Sequence, residues 1–366
     1  MDTDKRRWQT ALAILFFGGC LAHGQQERLL SKTENAYNPI PSPDGKFIAY
    51  VRTGWGRPGG SGGAGRSNLR SEIALMDRNG RVLTVEPLAD GFLSSWTPDG
   101  SSLVCYRDWR YWRTSLDGKR QSEGTIPGQR IERVTYLKDS FLWTEPVWLG
   151  KKLRTALVTP EGPIGEALDD FGADMPVASP DGRYVAVVGG TPESVPMAGG
   201  TLLVYDLQTR TWSRLGTVVI HPSEDWDYIK PSWNPWFADS RHLAYTSESA
   251  LIVSTPDGSE KREILKLDKP HGLAVPSPDG KMVAFATFES RPWQARPDLT
   301  FWGGSTIWIA PIGANSTAKA VTQKNSDTTY GLRWLDTRAI VFDRIADVVK
   351  YVEFKNHRLW KAKLPD

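Results

Sequence analysis

Three decapeptides of nearly the same sequence recur along this chain, and they constrain its fold more than any other feature. They span residues 41–50, 178–187 and 276–285, and each joins Ser-Pro-Asp-Gly to an alternating, β-prone segment. A partial copy begins at Trp96. A unit that recurs along a chain indicates a repeat architecture in which each copy forms one small supersecondary unit.

The aspartates of these turns, together with those of degenerate copies, measure the length of the unit. They lie 40 to 58 residues apart. A spacing of about 40–45 residues is typical of a blade of four short strands, and the longer intervals leave room for loop insertions. We therefore predict an all-β fold, a seven-bladed β-propeller of four-stranded blades, with six blades as the alternative. The turn aspartates are Asp44, Asp99, Asp139, Asp181, Asp239, Asp279 and Asp336.

The seventh unit stops after its third strand, and a short β-prone segment at residues 28–32 belongs to no unit. An unclosed ring would leave two bare sheet edges, which favour aggregation. We therefore expect residues 28–32 to supply the fourth strand of the last blade. Residues 26–366 are then expected to form a single domain.

The first 24 residues have the features of a secretory signal. Basic residues 5–7 precede an apolar run at residues 11–17, and small residues follow. We expect cleavage between Gly24 and Gln25, or alternatively lipid attachment at Cys20, because residues 17–20 resemble a lipobox. The protein is then periplasmic or secreted, and a lipid at Cys20 would anchor it to the outer membrane. No other membrane contact is expected.

Composition and motifs argue against several functional classes. A formal net charge of +3, without a run of basic residues interleaved with aromatics, gives no reason to expect a nucleic-acid partner. Only Cys105 would remain in the mature domain, so no internal disulfide is expected. His221 and His271 are the two histidines in loops between blades, which is too few for a convincing metal site. We expect no catalytic constellation, no metal, no cofactor and a monomer.

The repeat pattern, Ser-Pro-Asp-Gly-Lys-x-apolar-Ala-aromatic, resembles the TolB-type β-propeller repeat. Residues 42–50, 179–187 and 277–285 match closely, and residues 97–106 and 237–245 match in part. The resemblance covers nearly everything after residue 26. TolB itself resembles a six-bladed propeller preceded by a small α/β domain, for which this chain has no room. The resemblance therefore implies a stand-alone propeller.

Of the 16 tryptophans, five are predicted to pack between blades: Trp96, Trp112, Trp308, Trp334 and Trp360. Other aromatic and charged residues lie in the loops between second and third strands and between blades, which reach one face of a propeller. Such a mixture is typical of a recognition surface. The candidate ligand contacts are Arg52, Trp55, Arg107, Asp108, Trp109, Asp225, Trp226, Asp227, His271, Glu289, Arg291 and Trp293.

These observations predict an envelope propeller that binds or scaffolds a protein, a peptide or a glycan at its channel-mouth face. The alternative is a propeller lyase or hydrolase that acts on a polysaccharide or peptide at the same face, because some related propellers are pectate-type lyases.

Mass spectrometry of the protein exported by a bacterial host is expected to show Gln25 as the first residue. The small residues at positions 22 and 24 fit the recognition positions of signal peptidase. A mature chain that begins with a lipid-modified Cys20 would contradict this prediction.

Overall fold

The computed structural model describes residues 27–31, 35–55, 69–84, 88–107, 109–125, 134–137, 139–149, 152–168, 174–189, 198–221, 233–293, 296–313, 316–323, 328–345 and 357–364. Their regular secondary structure is entirely β, in 27 strands. The described part of the chain therefore contains no helix that could span a membrane.

The strands follow the chain in the order and with the bounds given next. They are β1 (Glu27–Leu29), β2 (Asn35–Pro41), β3 (Phe47–Trp55), β4 (Leu69–Asp77), β5 (Ala89–Asp90), β6 (Phe92–Trp96), β7 (Ser102–Arg107), β8 (Arg110–Ser115), β9 (Arg120–Thr125), β10 (Val134–Leu137), β11 (Ser140–Leu149), β12 (Lys152–Thr159), β13 (Gly162–Leu168), β14 (Asp174–Ala178), β15 (Tyr184–Gly189), β16 (Ala198–Asp206), β17 (Thr211–His221), β18 (Leu243–Thr246), β19 (Ala250–Ser254), β20 (Lys261–Lys266), β21 (His271–Pro276), β22 (Met282–Trp293), β23 (Arg296–Pro311), β24 (Lys319–Ala320), β25 (Thr328–Asp336), β26 (Ala339–Ile345) and β27 (His357–Lys363).

The described strands form six antiparallel sheets, which we number in chain order. The first sheet is β2–β5, the second β6–β9, the third β10–β13, the fourth β14–β20 and the fifth β21–β24. The sixth sheet has the order β1-β27-β26-β25. Each sheet contacts the next, and the sixth contacts the first. This ring of sheets confirms the β-propeller fold that the repeat predicts.

The fourth sheet has seven strands, so the count of seven blades is not confirmed and stays a prediction. Its halves, β14–β17 and β18–β20, are joined by one paired position, Val219 with Thr246. A buried apolar cluster also lies between the halves, as it does between neighbouring sheets elsewhere in the ring. The halves coincide with the fourth and fifth repeats of the sequence.

The repeated turns form a hydrogen-bonded motif that explains why the decapeptide recurs. The hydroxyl of Ser42 donates to Asp44 at 2.6 Å, and the same carboxylate accepts the backbone N–H of Lys46. The hydroxyl holds the pKa of Asp44 down to about 2. Gly45 has φ of 67°, which only glycine adopts readily. Equivalent Ser/Thr-to-Asp bonds occur at Thr97–Asp99, Ser115–Asp117, Ser179–Asp181, Thr255–Asp257 and Ser277–Asp279.

Indole hydrogen bonds tie neighbouring units together. Trp96 in the second sheet donates its Nε1–H to the carbonyl of Ile40 in the first, at 2.8 Å. Trp334 and Val275 repeat the bond between the sixth and fifth sheets. A buried indole N–H usually needs such an acceptor, because leaving it unpaired is costly. These tryptophans therefore fix the distance between sheets as well as fill the space between them.

The N-terminal strand closes the ring, as the sequence predicts. Strand β1 pairs antiparallel with β27, so Glu27 lies opposite Ala362. Arg344 on β26 is only 3% exposed, and its Nη1 donates to Oε2 of Glu27 at 2.6 Å. The guanidinium carbon also lies 4.7 Å and 5.4 Å from the ring centres of Phe342 and Trp360. We call this group the closing clasp.

Glu27→Gln is expected to lower the free energy of unfolding by about 3 kcal/mol, because it leaves the buried Arg344 charge without its carboxylate. Urea denaturation would measure the change. The matched control is Glu123→Gln, whose partner Arg120 lies 3.4 Å away in an exposed pair. The control substitution should lower the free energy of unfolding by less than about 1 kcal/mol. Equal effects of the two variants would contradict the role given to the closing clasp.

Candidate functional site

Three of the residues predicted to contact a ligand have described side chains on or beside the first two sheets. Arg52 on β3 is half-buried, and its Nε donates to Oε2 of Glu72 on the neighbouring strand at 3.1 Å. Arg107 ends β7, and Trp109 in the following turn keeps 55% of its surface exposed. The ion pair occupies Arg52, whereas Trp109 offers an open aromatic surface.

The other predicted contacts lie on the fifth sheet, at residues of which only the backbone is described, or outside the described residues. His271 and Glu289 lie on the paired strands β21 and β22. Only the backbone is described for Trp55, Arg291 and Trp293, at the ends of β3 and β22. Cys20, Asp108, Asp225, Trp226 and Asp227 lie outside the described residues, and the roles expected of them stay predictions.

A groove of about 410 Å³ lies on the fifth sheet, beside the loop that arrives from the fourth. Antiparallel pairing sets Thr287 opposite Thr306. Thr287 and Glu289 of β22 both line the groove, and the β22–β23 pairing is irregular between Phe288 and Ser290. The polar and aromatic lining consists of Lys269, Thr287, Glu289, Thr306, Trp308, Thr322 and Gln323.

Hydrogen bonds hold the groove lining in place. The indole Nε1–H of Trp308 donates to Oγ1 of Thr287 at 2.9 Å, and Oγ1 of Thr322 accepts the backbone N–H of Ile307 at 2.9 Å. These bonds fix the ring and two hydroxyl groups relative to the strands. The groove is therefore preformed on regular β-structure, the arrangement that keeps a binding site precise.

Beside the groove lies His271, which is 3% exposed. Its Nδ1 is 2.5 Å from the carbonyl oxygen of Lys269, and its Nε2 is 2.5 Å from that of Ser247. The sequence predicted a ligand contact for His271, whereas the structure places its ring between two backbone carbonyls. Lys269 lines the groove, so the ring contacts the loop that carries one of the two charged groove residues.

The groove is also connected to the closing clasp. The backbone N–H of Gln323, whose residue lines the groove, donates to Oε1 of Glu27 at 3.1 Å. The other oxygen of the same carboxylate binds Arg344. One carboxylate therefore joins the N-terminal strand, the sixth sheet and an edge of the groove.

A buried carboxylate on β26 lies where this strand meets β25 and β2. Asp343 is 1% exposed and accepts the backbone N–H groups of Asn38 at 2.9 Å and of Tyr330 at 3.0 Å, together with that of Gly331. Asn38 has φ of 53° and donates its side-chain amide to the carbonyl of Leu93. Burial raises the pKa of Asp343 to about 6 despite these donors. The network links the sixth, first and second sheets.

Sequence reasoning missed most of the groove. Trp308 was assigned to packing, and it does pack against the apolar cluster between the fourth and fifth sheets, but it also lines the groove. Lys269 and the three threonines were not singled out. Asp343 did carry a signal, because it interrupts the apolar strand Ala339–Ile345. Among the described residues, no group of three or more His, Cys, Asp or Glu side chains could hold a metal ion.

No protein-family model and no curated protein matches this chain. Solved structures with a similar fold include an oligogalacturonate lyase from Vibrio parahaemolyticus, with 12% identity, a TM-score of 0.61, and coverage of 94% of this chain and 95% of that one. An oligogalacturonate lyase in complex with manganese has 16% identity, a TM-score of 0.59 and 94% coverage of both chains. The β-propeller domain of the trilobed protease from Pyrococcus furiosus has 14% identity, a TM-score of 0.54, and coverage of 92% of this chain and 99% of that one. Likeness at these identities shows the fold alone.

Asp343→Asn is expected to change how stability depends on pH. The folded-state pKa of Asp343 lies above the ordinary value of 3.8, so its contribution to stability is fully present below about pH 4 and is lost as the pH rises to about 6. A pKa difference of about two units between the folded and unfolded states corresponds to about 3 kcal/mol in the free energy of unfolding. As the pH rises from about 4 to about 6, the free energy of unfolding of the variant should therefore increase by about 3 kcal/mol relative to that of the wild type. At every pH the variant also lacks the carboxylate that accepts the three backbone N–H groups. Urea denaturation at several pH values would measure this, and a constant difference would contradict the prediction.

Proposed function

We propose that this protein is a recognition propeller of the bacterial cell envelope that binds a saccharide in the groove of the fifth sheet. One observation carries the proposal. Residues with an indole ring, a carboxylate, an ammonium group, an amide and three hydroxyls line one groove of about 410 Å³. Binding sites of this kind combine an aromatic surface with a few polar groups that fix the orientation of the ligand.

The lining suits a saccharide better than a peptide. Sugar hydroxyls both donate and accept, so they can pair at once with Glu289, which accepts, and Lys269, which donates. The ring of Trp308 provides apolar area for the C–H face of a sugar.

The rigidity of the site supports binding as its main task. Trp308 and Thr322 already have their hydrogen-bond partners within the sheet, so little ordering is needed when a ligand arrives. Preorganisation of this kind increases affinity by lowering the entropic cost of binding. The signal predicted at residues 1–24 favours a ligand that is met outside the cytoplasm.

A lyase acting on an acidic polysaccharide is the second candidate, and the likeness to two oligogalacturonate lyases favours it. One of those structures holds manganese. The described residues do not fit such a centre, since they contain no group of three metal-binding side chains and both ring nitrogens of His271 contact carbonyl oxygens. No catalytic step is therefore assigned to the groove.

Isothermal titration calorimetry with neutral oligosaccharides, uronic-acid oligosaccharides and peptides as separate probes would test the proposal. At least one saccharide should bind, and Glu289→Gln should weaken it about tenfold or more, because a hydrogen bond to a charged group is worth about 1.5–3 kcal/mol. Glu263→Gln is the matched control, an exposed position on β20 away from the groove.

Three outcomes would contradict the proposal. Binding of peptides alone would make the groove a peptide site. Equal effects of the two Glu→Gln variants would place the saccharide elsewhere. Release of unsaturated sugars from uronic-acid oligosaccharides with added manganese would identify the protein as a lyase.

A further inference from the structure

We infer that His271 is a positioning residue for the groove, and that its imidazolium form holds Lys269 in the arrangement that binds the saccharide. This inference rests on the proposed function and adds regulation of the same site by pH. The evidence is the geometry around the ring and the place of Lys269 in the groove lining.

The ring of His271 has an acceptor at each nitrogen. The carbonyl oxygens of Lys269 and Ser247 lie 2.5 Å from Nδ1 and Nε2. A carbonyl oxygen can only accept, and a neutral imidazole carries one N–H and one bare nitrogen lone pair. Only the doubly protonated ring can donate to both carbonyls. Loss of the proton would leave a nitrogen lone pair facing an oxygen at a distance that repulsion does not permit.

The two carbonyls belong to two different loops, and the loop of Lys269 contributes to the groove lining. Ser247 lies in the turn between β18 and β19, and Lys269 lies in the loop between β20 and β21. That loop is also held by Leu267, which donates its N–H to Ser249, and by Pro270, whose carbonyl accepts the N–H of Phe288. The contact between the His271 ring and the carbonyl of Lys269 is thus a third interaction that holds this loop. Lys269 is also the loop residue that lines the groove.

Deprotonation releases one of the two carbonyls. If the Lys269 contact is lost, the loop keeps its flanking bonds at Leu267 and Pro270, while the residue between them can turn. The Lys269 side chain then no longer has a fixed position in the groove lining. Saccharide affinity should consequently fall as the pH rises, without unfolding of the propeller.

Other ionisable residues lie on the elements next to the ring. Glu248 lies in the β18–β19 turn, Asp268 and Lys269 lie in the loop, and Glu289 lies on β22. Strand β17, which contacts β21, ends at His221, whose side chain lies outside the described part. A pH profile of the wild type alone would not assign the effect, so substitutions at position 271 are required.

Two substitutions separate the two contacts of the ring. In the His271→Asn variant, the side-chain amide can take the place of Nδ1 and donate to the carbonyl of Lys269, and this amide does not titrate. In the His271→Gln variant, the longer side chain can place its amide where Nε2 was and donate to the carbonyl of Ser247, which leaves the carbonyl of Lys269 without its donor. His242→Asn is the matched control, because His242 is partly exposed and its Nδ1 lies 2.7 Å from Asp239 in a turn away from the groove.

The test measures saccharide affinity from about pH 5.5 to about pH 8, the range in which histidines change charge. Wild type and His242→Asn should lose about fivefold or more in affinity across this range. His271→Asn should bind with an affinity that is flat with pH, and His271→Gln should bind weakly at every pH. A wild-type profile retained in His271→Asn would overturn the inference.

Nuclear magnetic resonance of the ¹⁵N-labelled imidazole provides a readout that does not depend on any ligand. Two ring N–H signals of His271 are expected at the pH of strongest binding, and a single one would overturn the inference. If no saccharide binds at any pH, the proposed function fails and the imidazole spectrum still decides the protonation of His271. If a saccharide binds equally well at every pH, the proposed function stands and the inference fails.

Discussion

The pairing of the first strand with the last is the interaction on which the whole ring depends. Every sheet buries its faces against two neighbours, so a ring with one open interface would expose an apolar face and two strand edges. Strand β1 meets this need through three paired positions with β27. The short pairing is reinforced by the closing clasp, where the buried Arg344 meets Glu27 and two aromatic rings. Removing either charge would leave the other inside the protein at considerable cost.

The groove depends on the same scaffold, which gives it both precision and a route for regulation. Its lining is carried by paired strands whose register brings Thr287, Thr306 and Trp308 together. Its edge at Gln323 is bonded to the closing clasp, and its Lys269 end is bonded to His271. A rigid sheet with one adjustable loop allows a small change of charge to alter binding while the fold stays intact.

The sequence revealed the fold far better than the site, and the physical reason differs between the two. Turns such as Ser42 to Gly45 need particular residue types, because a hydroxyl, a carboxylate and a positive φ must coincide, and such a requirement is visible as a repeated motif. The groove has no comparable requirement, since the strands of any blade contain residues like Thr287 and Trp308. These residues line a groove only because the register of the neighbouring strands brings them together. Within the fourth sheet, likewise, the chain alone did not reveal that Val219 would pair with Thr246.

The position of β1 also has a consequence for how the molecule forms. Glu27 and Arg344 are separated by 317 residues along the chain, so the ribosome completes one long after the other. Contacts between such distant positions carry a large loop-closure entropy and are typical of slow folding. During synthesis, β1 has no partner strand until the ribosome has made β27. Pairing of β1 with β27 therefore cannot form until the last strand has been synthesised.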